Sequence, residues 1–246
     1  MVNSANGGVA DNADKTTTTT TTTNNVVDIN KPILWEELQE IVSTNEIQNL
    51  RRNPEVNVKY QNFKTQLSSK NESLFSHLIF DELKWADRND YLQHLTSDKI
   101  NDLPKVLKLN PTDKRLLANA ADIKILPNDF PYFFESNVCH LCIWSKVVIK
   151  DDPLSGKGDI SRKTRKIIDR YVEKTFVDYL GIPKENILWF RNWSALQSVK
   201  ALSHIHVVIK DFTTENYEKI VMQAGIPIDF DGKDYDLLED VQEYLN

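Results

Sequence analysis

The run "SRKTRKIIDRYVEKTFVDYLGIP" constrains this chain more than any other stretch. Ile167, Ile168, Tyr171, Val172, Phe176, Tyr179 and Leu180 recur at helical spacing and form one apolar stripe. The periodicity predicts a long helix from Ser161 to Leu180, opened by polar, cap-competent residues and stopped by Gly181 and Pro183. Segments rich in β-branched and aromatic residues flank it. "IKILPNDFPYFF" and "NVCHLCIWSKVVIK" precede it, and "ENILWFRNW" and "SHIHVVIKD" follow. "TTENYEKIVMQAG" and "YDLLEDVQEYL" read as short closing helices. Strand, strand, long helix, strand, strand, helix predicts an α+β domain over residues 121–246, with an antiparallel sheet and a long crossover helix.

Upstream, residues 31–120 read as a mainly helical region packed on that core. "KPILWEELQEIVST" places Leu34, Trp35, Leu38, Ile41 and Val42 at helical spacing, with Pro32 at the helix start. A second helix follows a break before Pro54 and turns Val58, Phe63 and Leu67 inward. "ESLFSHLIFDELKW" gives a third, with Leu74, Leu78, Ile79 and Leu83 on one face. Residues 1–30 carry eight consecutive threonines, Thr16–Thr23, and nothing apolar that recurs, so a disordered tail is expected.

Bulk properties narrow the function classes. A net charge of −6 argues against a general nucleic-acid binder. No apolar run is long enough to span a bilayer, so no membrane partner is expected. The start of the chain lacks an apolar signal region, and two cysteines build no disulfide scaffold, so a cytoplasmic location is expected. Cys139 and Cys142 form a C-x-x-C, but on a strand positions i and i+3 point to opposite faces, and the chain has no second cysteine pair. "SGKG" (Ser155–Gly158) lacks phosphate-loop spacing and reads as a turn.

His204 and His206 stand two apart on a strand and therefore share one face. Packing, a nucleophile with its partner, and metal ligation are the competing readings. Metal needs further ligands, and of the other histidines only His140 lies in the β region, so neither a metal nor another cofactor is expected. Asn192, Gln197 and Ser198 lie shortly before the pair and carry donors suited to phosphate or ribose oxygens. A neutral histidine can attack phosphorus, and a neighbouring one can orient it or act as the acid.

The order of these residues resembles the histidine-triad superfamily of nucleotide hydrolases and transferases. Asp129, Pro131, His140 and Lys146 fall in sequence, then Asn192, Gln197, Ser198, Val199, His204 and His206. The first of the family's alternating histidines is replaced by Leu202, and the gap after Gln197 is one residue longer. The resemblance implies a histidine-triad-like fold with His204 at the nucleophile position and His206 at the third histidine. It implies that Asn192, Gln197, Ser198 and Lys146 hold a phosphorylated ligand. "NDFPYFFESNVCHLCIWSK", "ILWFRNWSALQSVKALSHIHV" and "LWEELQEIVSTNEIQNLRRNPE" further resemble the fungal N-acetylglucosamine-induced protein family. That likeness implies a cytosolic role in the N-acetylglucosamine response or metabolism. Two functions follow: a module that binds a sugar phosphate or nucleotide, and an active hydrolase or transferase working through His204. A monomer is expected rather than a homodimer, because the extra helices are placed to cover the surface through which histidine-triad relatives pair.

Overall fold

The computed structural model describes residues 30–245, and the threonine-rich tail lies outside the described residues. Four strands, β1 (Ile123–Pro127), β2 (Val138–Ser145), β3 (Ile187–Phe190) and β4 (Ser203–Lys210), form one antiparallel sheet in the order β1-β2-β4-β3. The central pair is in register over eight residues, from Val138 opposite Lys210 to Ser145 opposite Ser203. The chain is α+β, as its segment order predicts. Among the described residues no helix is long and apolar enough to cross a membrane.

Alternation along the strands gives the sheet two unlike faces. Leu141, Ile143, Ile205, Val207 and Ile209 point to one side and build the main core with the crossover helix. That helix is α5 (Arg162–Val172), continued by wider π-helical turns from Glu173 to Tyr179. The Ser161 side chain caps it by accepting from the Thr164 N–H at 3.1 Å, and Gly181, at φ +70°, ends it. Ile167, Ile168, Tyr171, Val172 and Phe176 are buried as the stripe predicts, whereas Tyr179 is exposed. Tyr179 falls within the i→i+5 turns, and Leu180 after it is buried in the same core as the stripe predicts.

The other face carries His140, Cys142 and Trp144 of β2, His204, His206 and Val208 of β4, and Phe190 of β3. The helical first half covers it: α1 (Trp35–Ser43), α2 (Pro54–Ser69), α3 (Leu74–His77) with a π-helical turn through Glu82, and α4 (Leu103–Val106). Trp35, Leu38 and Ile41 pack with Phe190 and Val208 on one flank. Phe75, Ile79, Leu83 and Leu103 pack with Cys142, Trp144 and Leu202 on the other. The histidines lie between these two apolar clusters.

Some local expectations need correction, and others stand. The first helix starts at Trp35 rather than at Pro32, because Ile33 is drawn into a parallel bridge with Phe134 and Glu135 accepts from the Trp35 N–H at 2.8 Å. The break before Pro54 stands as expected, with Pro54 opening α2 and Asn53 as its cap. Val58 is exposed, whereas Phe63 packs on His77 and Phe130 and Leu67 is buried, as expected. The last segment forms short helices, as expected, both of the 3₁₀ type (Tyr235–Leu237 and Asp240–Tyr244). It is pinned to α5 by ion pairs of Asp234 with Arg170 and Lys174 and of Asp240 with Lys166.

Candidate functional site

The register of β2 on β4 sets Cys142 directly opposite His206 and Trp144 opposite His204, while β3 sets Phe190 beside His206. His140, His204 and His206 are all buried. The Asn192 side-chain amide lies 3.2 Å from His206 Nε2 and 3.0 Å from the Tyr132 hydroxyl. With the amide nitrogen donating, His206 is an acceptor at Nε2, so its proton sits on Nδ1 and is donated to His140 Nε2 at 3.0 Å. Cys142 Sγ lies 3.5 Å from the same Nδ1, and Asn128 Nδ2 lies 3.4 Å from His140 Nε2. The chain ends at His140 Nδ1, which is buried without a hydrogen-bond partner among the described residues. Tyr132 stacks on His140 at 5.7 Å and Phe190 stacks on His206 at 4.9 Å, clamping the couple from both sides.

His204 is held differently. Its Nδ1–H donates to the Leu202 carbonyl at 2.9 Å, and its ring packs on Trp144 at 4.6 Å. That bond fixes the tautomer and leaves Nε2 as a lone-pair nitrogen with no hydrogen-bond partner among the described residues. Burial lowers His204 to about 4 and His140 to about 3, and the Arg191 and Arg52 charges push the same way. His206 is lowered well below the ordinary imidazole value by burial and by its two histidine neighbours. All three rings are therefore neutral at pH 7. Burial pushes the Cys142 thiol up to about 12.

A cavity of about 100 Å³ opens over this face. His204, His206, Cys142, Trp144 and Asn192 line its sheet side, and Arg52, Phe63, His77 and Leu78 its helical side. It has room for several waters, each needing roughly 10–15 Å³. Arg52 Nε donates to the Phe130 carbonyl at 2.9 Å, and its guanidinium lies over the rings of Tyr60 (5.1 Å) and Tyr132 (5.3 Å). No carboxylate pairs with it among the described residues. A stacked guanidinium with no carboxylate paired to it, beside neutral imidazoles, offers an anion a cationic contact in a cavity that Glu82 and Asp129 also line.

The sequence-predicted residues separate into three groups. His204, His206 and Asn192 come together at the cavity, and the exposed Ser198 lines it too. Gln197 turns back instead and donates to the Asn192 carbonyl at 2.8 Å, bracing the loop that carries Asn192. Lys146 is not brought to the cavity. It follows the last residue of β2, pairs with Asp122 at 3.5 Å and lies over Trp85. Cys139 and Cys142 are free thiols on opposite faces, in keeping with their spacing on a strand. Sequence reasoning missed Arg52, Tyr132 and the contact of His140 with His206. The period-2 alternation already put His140 and Cys142 on one face, but the cross-strand register that joins them to His206 leaves no mark in the sequence.

The profile of the family described as "Protein of unknown function (DUF3605)" matches residues 34–210. Among relatives, N-acetylglucosamine-induced protein 1 of Candida albicans (strain SC5314 / ATCC MYA-2876) is 38% identical over 192 residues, covering 77% of this chain and 73% of that protein. "Uncharacterized protein YPL067C" of Saccharomyces cerevisiae (strain ATCC 204508 / S288c) is 23% identical over 184 residues, covering 74% of this chain and 81% of that protein. Among solved structures, "Crystal Structure of HTC1" superposes with a TM-score of 0.52 at 22% identity, over 76% of this chain and 91% of that one. The last likeness concerns the fold alone.

Proposed function

The chain belongs to the N-acetylglucosamine-induced family matched by this profile, and on that premise we propose that it binds a small phosphorylated ligand, a sugar phosphate or a nucleotide, in the His204 cavity. One observation carries the reading. His204 presents a fixed, unprotonated Nε2 at a cavity that the carboxylate-free guanidinium of Arg52 also lines. Arg52 supplies charge and a planar donor fork to phosphate oxygens. Ser198 adds a hydroxyl donor at the same cavity. The relative's name directs the choice of ligand towards N-acetylglucosamine phosphates and nucleotide-linked N-acetylglucosamine, and a cytosolic place of action belongs to the same proposal. The histidine-triad-like character of the pocket belongs to this proposal. His204 occupies the nucleophile position, and the contact of His140 with His206 supplies a third ring from another strand.

Turnover is the second reading, and the His204 geometry favours it as far as attack. Nε2 would bond to phosphorus as the leaving oxygen departs and takes up a proton. His206 does not supply that proton readily. With the Asn192 amide nitrogen donating, its Nδ1–H is committed to His140 and its Nε2 accepts from Asn192. Binding without consumption is therefore the favoured outcome. A thermal-shift panel of N-acetylglucosamine 6-phosphate, UDP-N-acetylglucosamine and AMP separates the readings. Stabilisation that persists while the ligand is recovered intact supports binding, and consumption that disappears in His204→Ala supports the enzyme. Indifference of the protein to every compound, with the cavity intact, defeats both.

A further inference from the structure

Beneath the ligand cavity lies a second constellation, His140, Cys142 and His206, whose donor atoms all fall within 4.8 Å of one another. We propose that these three side chains form a binding site for a zinc ion, with a fourth position open to the cavity. The inference does not depend on the phosphorylated ligand.

The spacing is the first argument. Zinc binds imidazole nitrogen at about 2.0–2.1 Å and thiolate at about 2.3 Å, so a tetrahedron around it has edges of about 3.3 Å between nitrogens and about 3.6 Å between nitrogen and sulfur. Here His140 Nε2 and His206 Nδ1 are 3.0 Å apart, and Cys142 Sγ and His206 Nδ1 are 3.5 Å apart. Closing the tetrahedron takes an opening of a few tenths of an ångström in the nitrogen pair and an approach of His140 and Cys142, whose donor atoms lie within 4.8 Å, to about 3.6 Å. The second argument is preorganisation. Cys142 and His206 are paired across the β2–β4 ladder, and Tyr132 and Phe190 hold the two rings. All three ligands are buried, yet Cys142 and His206 also line the cavity, so a water or an anionic oxygen can complete the set. One thiolate and two imidazoles select zinc over the hard cations magnesium and calcium. The other grouping of candidate ligands, Glu72, His77 and Asp81, differs on this point. Arg88 already bridges its two carboxylates at 2.8 Å each.

The protons balance. Cys142 loses its thiol proton to solvent as the metal–sulfur bond forms. His206 gives up the Nδ1 proton, which its lone pair must replace towards the ion, and takes one up at Nε2. Asn192 can serve the new tautomer by turning its amide to accept at Oδ1. Both amide atoms already lie within hydrogen-bond distance of the Tyr132 hydroxyl, at 3.0 and 3.3 Å, so the turn keeps that contact. Asn192 is then a positioning residue for the ligand His206.

The test uses the full chain, stripped with chelator, loaded with zinc or cobalt(II) and desalted. We expect one zinc per chain by elemental analysis. We also expect a near-ultraviolet thiolate-to-cobalt charge-transfer band that Cys142→Ser abolishes and Cys139→Ser leaves unchanged. Asn192→Ala should weaken zinc binding about 10- to 100-fold while keeping the band at saturating cobalt. Circular dichroism establishes that each variant is folded, with Cys142→Ala as the alternative if the serine variant is not. Less than a tenth of an equivalent of zinc overturns the proposal, as does absence of the band in the parent protein or its survival without Cys142. None of these readouts involves a sugar phosphate or a nucleotide, so the ligand reading stands or falls separately.

Discussion

Acidification should destabilise the metal-free protein well above the pH at which carboxylates titrate. In the unfolded chain His140, His204 and His206 take up protons near the ordinary value of about 6.5. In the folded protein burial holds His204 at about 4 and His140 at about 3, with His206 lowered in the same direction. Arg52 and Arg191 reinforce the shift, and no carboxylate partner opposes it among the causes acting on these rings. The unfolded state therefore binds more protons across the window from about 6.5 down to about 4, and stability falls as pH falls. Stability is full above 6.5, and for each ring the loss is complete only at its folded value. Between pH 7 and pH 5 the chain crosses about 1.5 units of that window, or about 2 kcal/mol per histidine at about 1.4 kcal/mol per unit. His204 and His140 together give about 4 kcal/mol, a large part of the roughly 5–15 kcal/mol that holds a domain folded. Urea unfolding of chelator-treated protein at pH 7, 6 and 5 measures this directly. His204→Gln should remove about 2 kcal/mol of the pH-dependent loss, because glutamine has no proton to gain. Equal stability at pH 7 and 5, or parallel losses in the parent and His204→Gln, would refute burial as the cause.

Three further outcomes follow from packing and charge. Phe176 is fully buried between α5 and the sheet, so Phe176→Ala should cost about 3–5 kcal/mol and lower the urea midpoint without changing the slope. Gly225 sits at φ +64° with an added Cβ only 2.6 Å from the Tyr171 hydroxyl, so Gly225→Ala should cost at least about 1 kcal/mol in the same assay. Arg52→Met keeps the stacking bulk over Tyr60 and Tyr132 but removes the charged donors. It should weaken a phosphorylated ligand by about 1.5–3 kcal/mol, roughly 10- to 100-fold in calorimetric titration.

What the sequence reveals and what it hides divide along physical lines. The two-residue alternation of "SHIHVVIK" puts His204 and His206 on one face, and the three-residue step in "CHLC" puts its cysteines on opposite faces. The stripe on α5 is equally plain up to Phe176. It misses Tyr179, which is exposed within the π-helical turns, and holds again at the buried Leu180. The site itself is largely cross-strand. Cys142 meets His206 across 64 residues of sequence, and only the ladder register decides which residues face each other. Arg52 reaches the cavity from the loop before α2, and nothing local distinguishes it from Arg51, which pairs with Glu37 instead. Lys146 shows the converse failure. It stands in motif order, yet it falls one residue beyond the strand end and turns towards Asp122.

The central claim is that His204 is the cavity's reacting or ligand-touching nitrogen while His206 is tied to His140. Nitrogen-15 NMR of the histidine rings, without ligand and then with N-acetylglucosamine 6-phosphate or UDP-N-acetylglucosamine, tests it most directly. The account predicts His204 protonated at Nδ1 and free at Nε2, with the Nε2 resonance moving on saturation in the parent protein and staying still in Arg52→Met at the same concentration. A His204 resonance that stays fixed while the ligand saturates the protein, or a His204 protonated at Nε2, would contradict it.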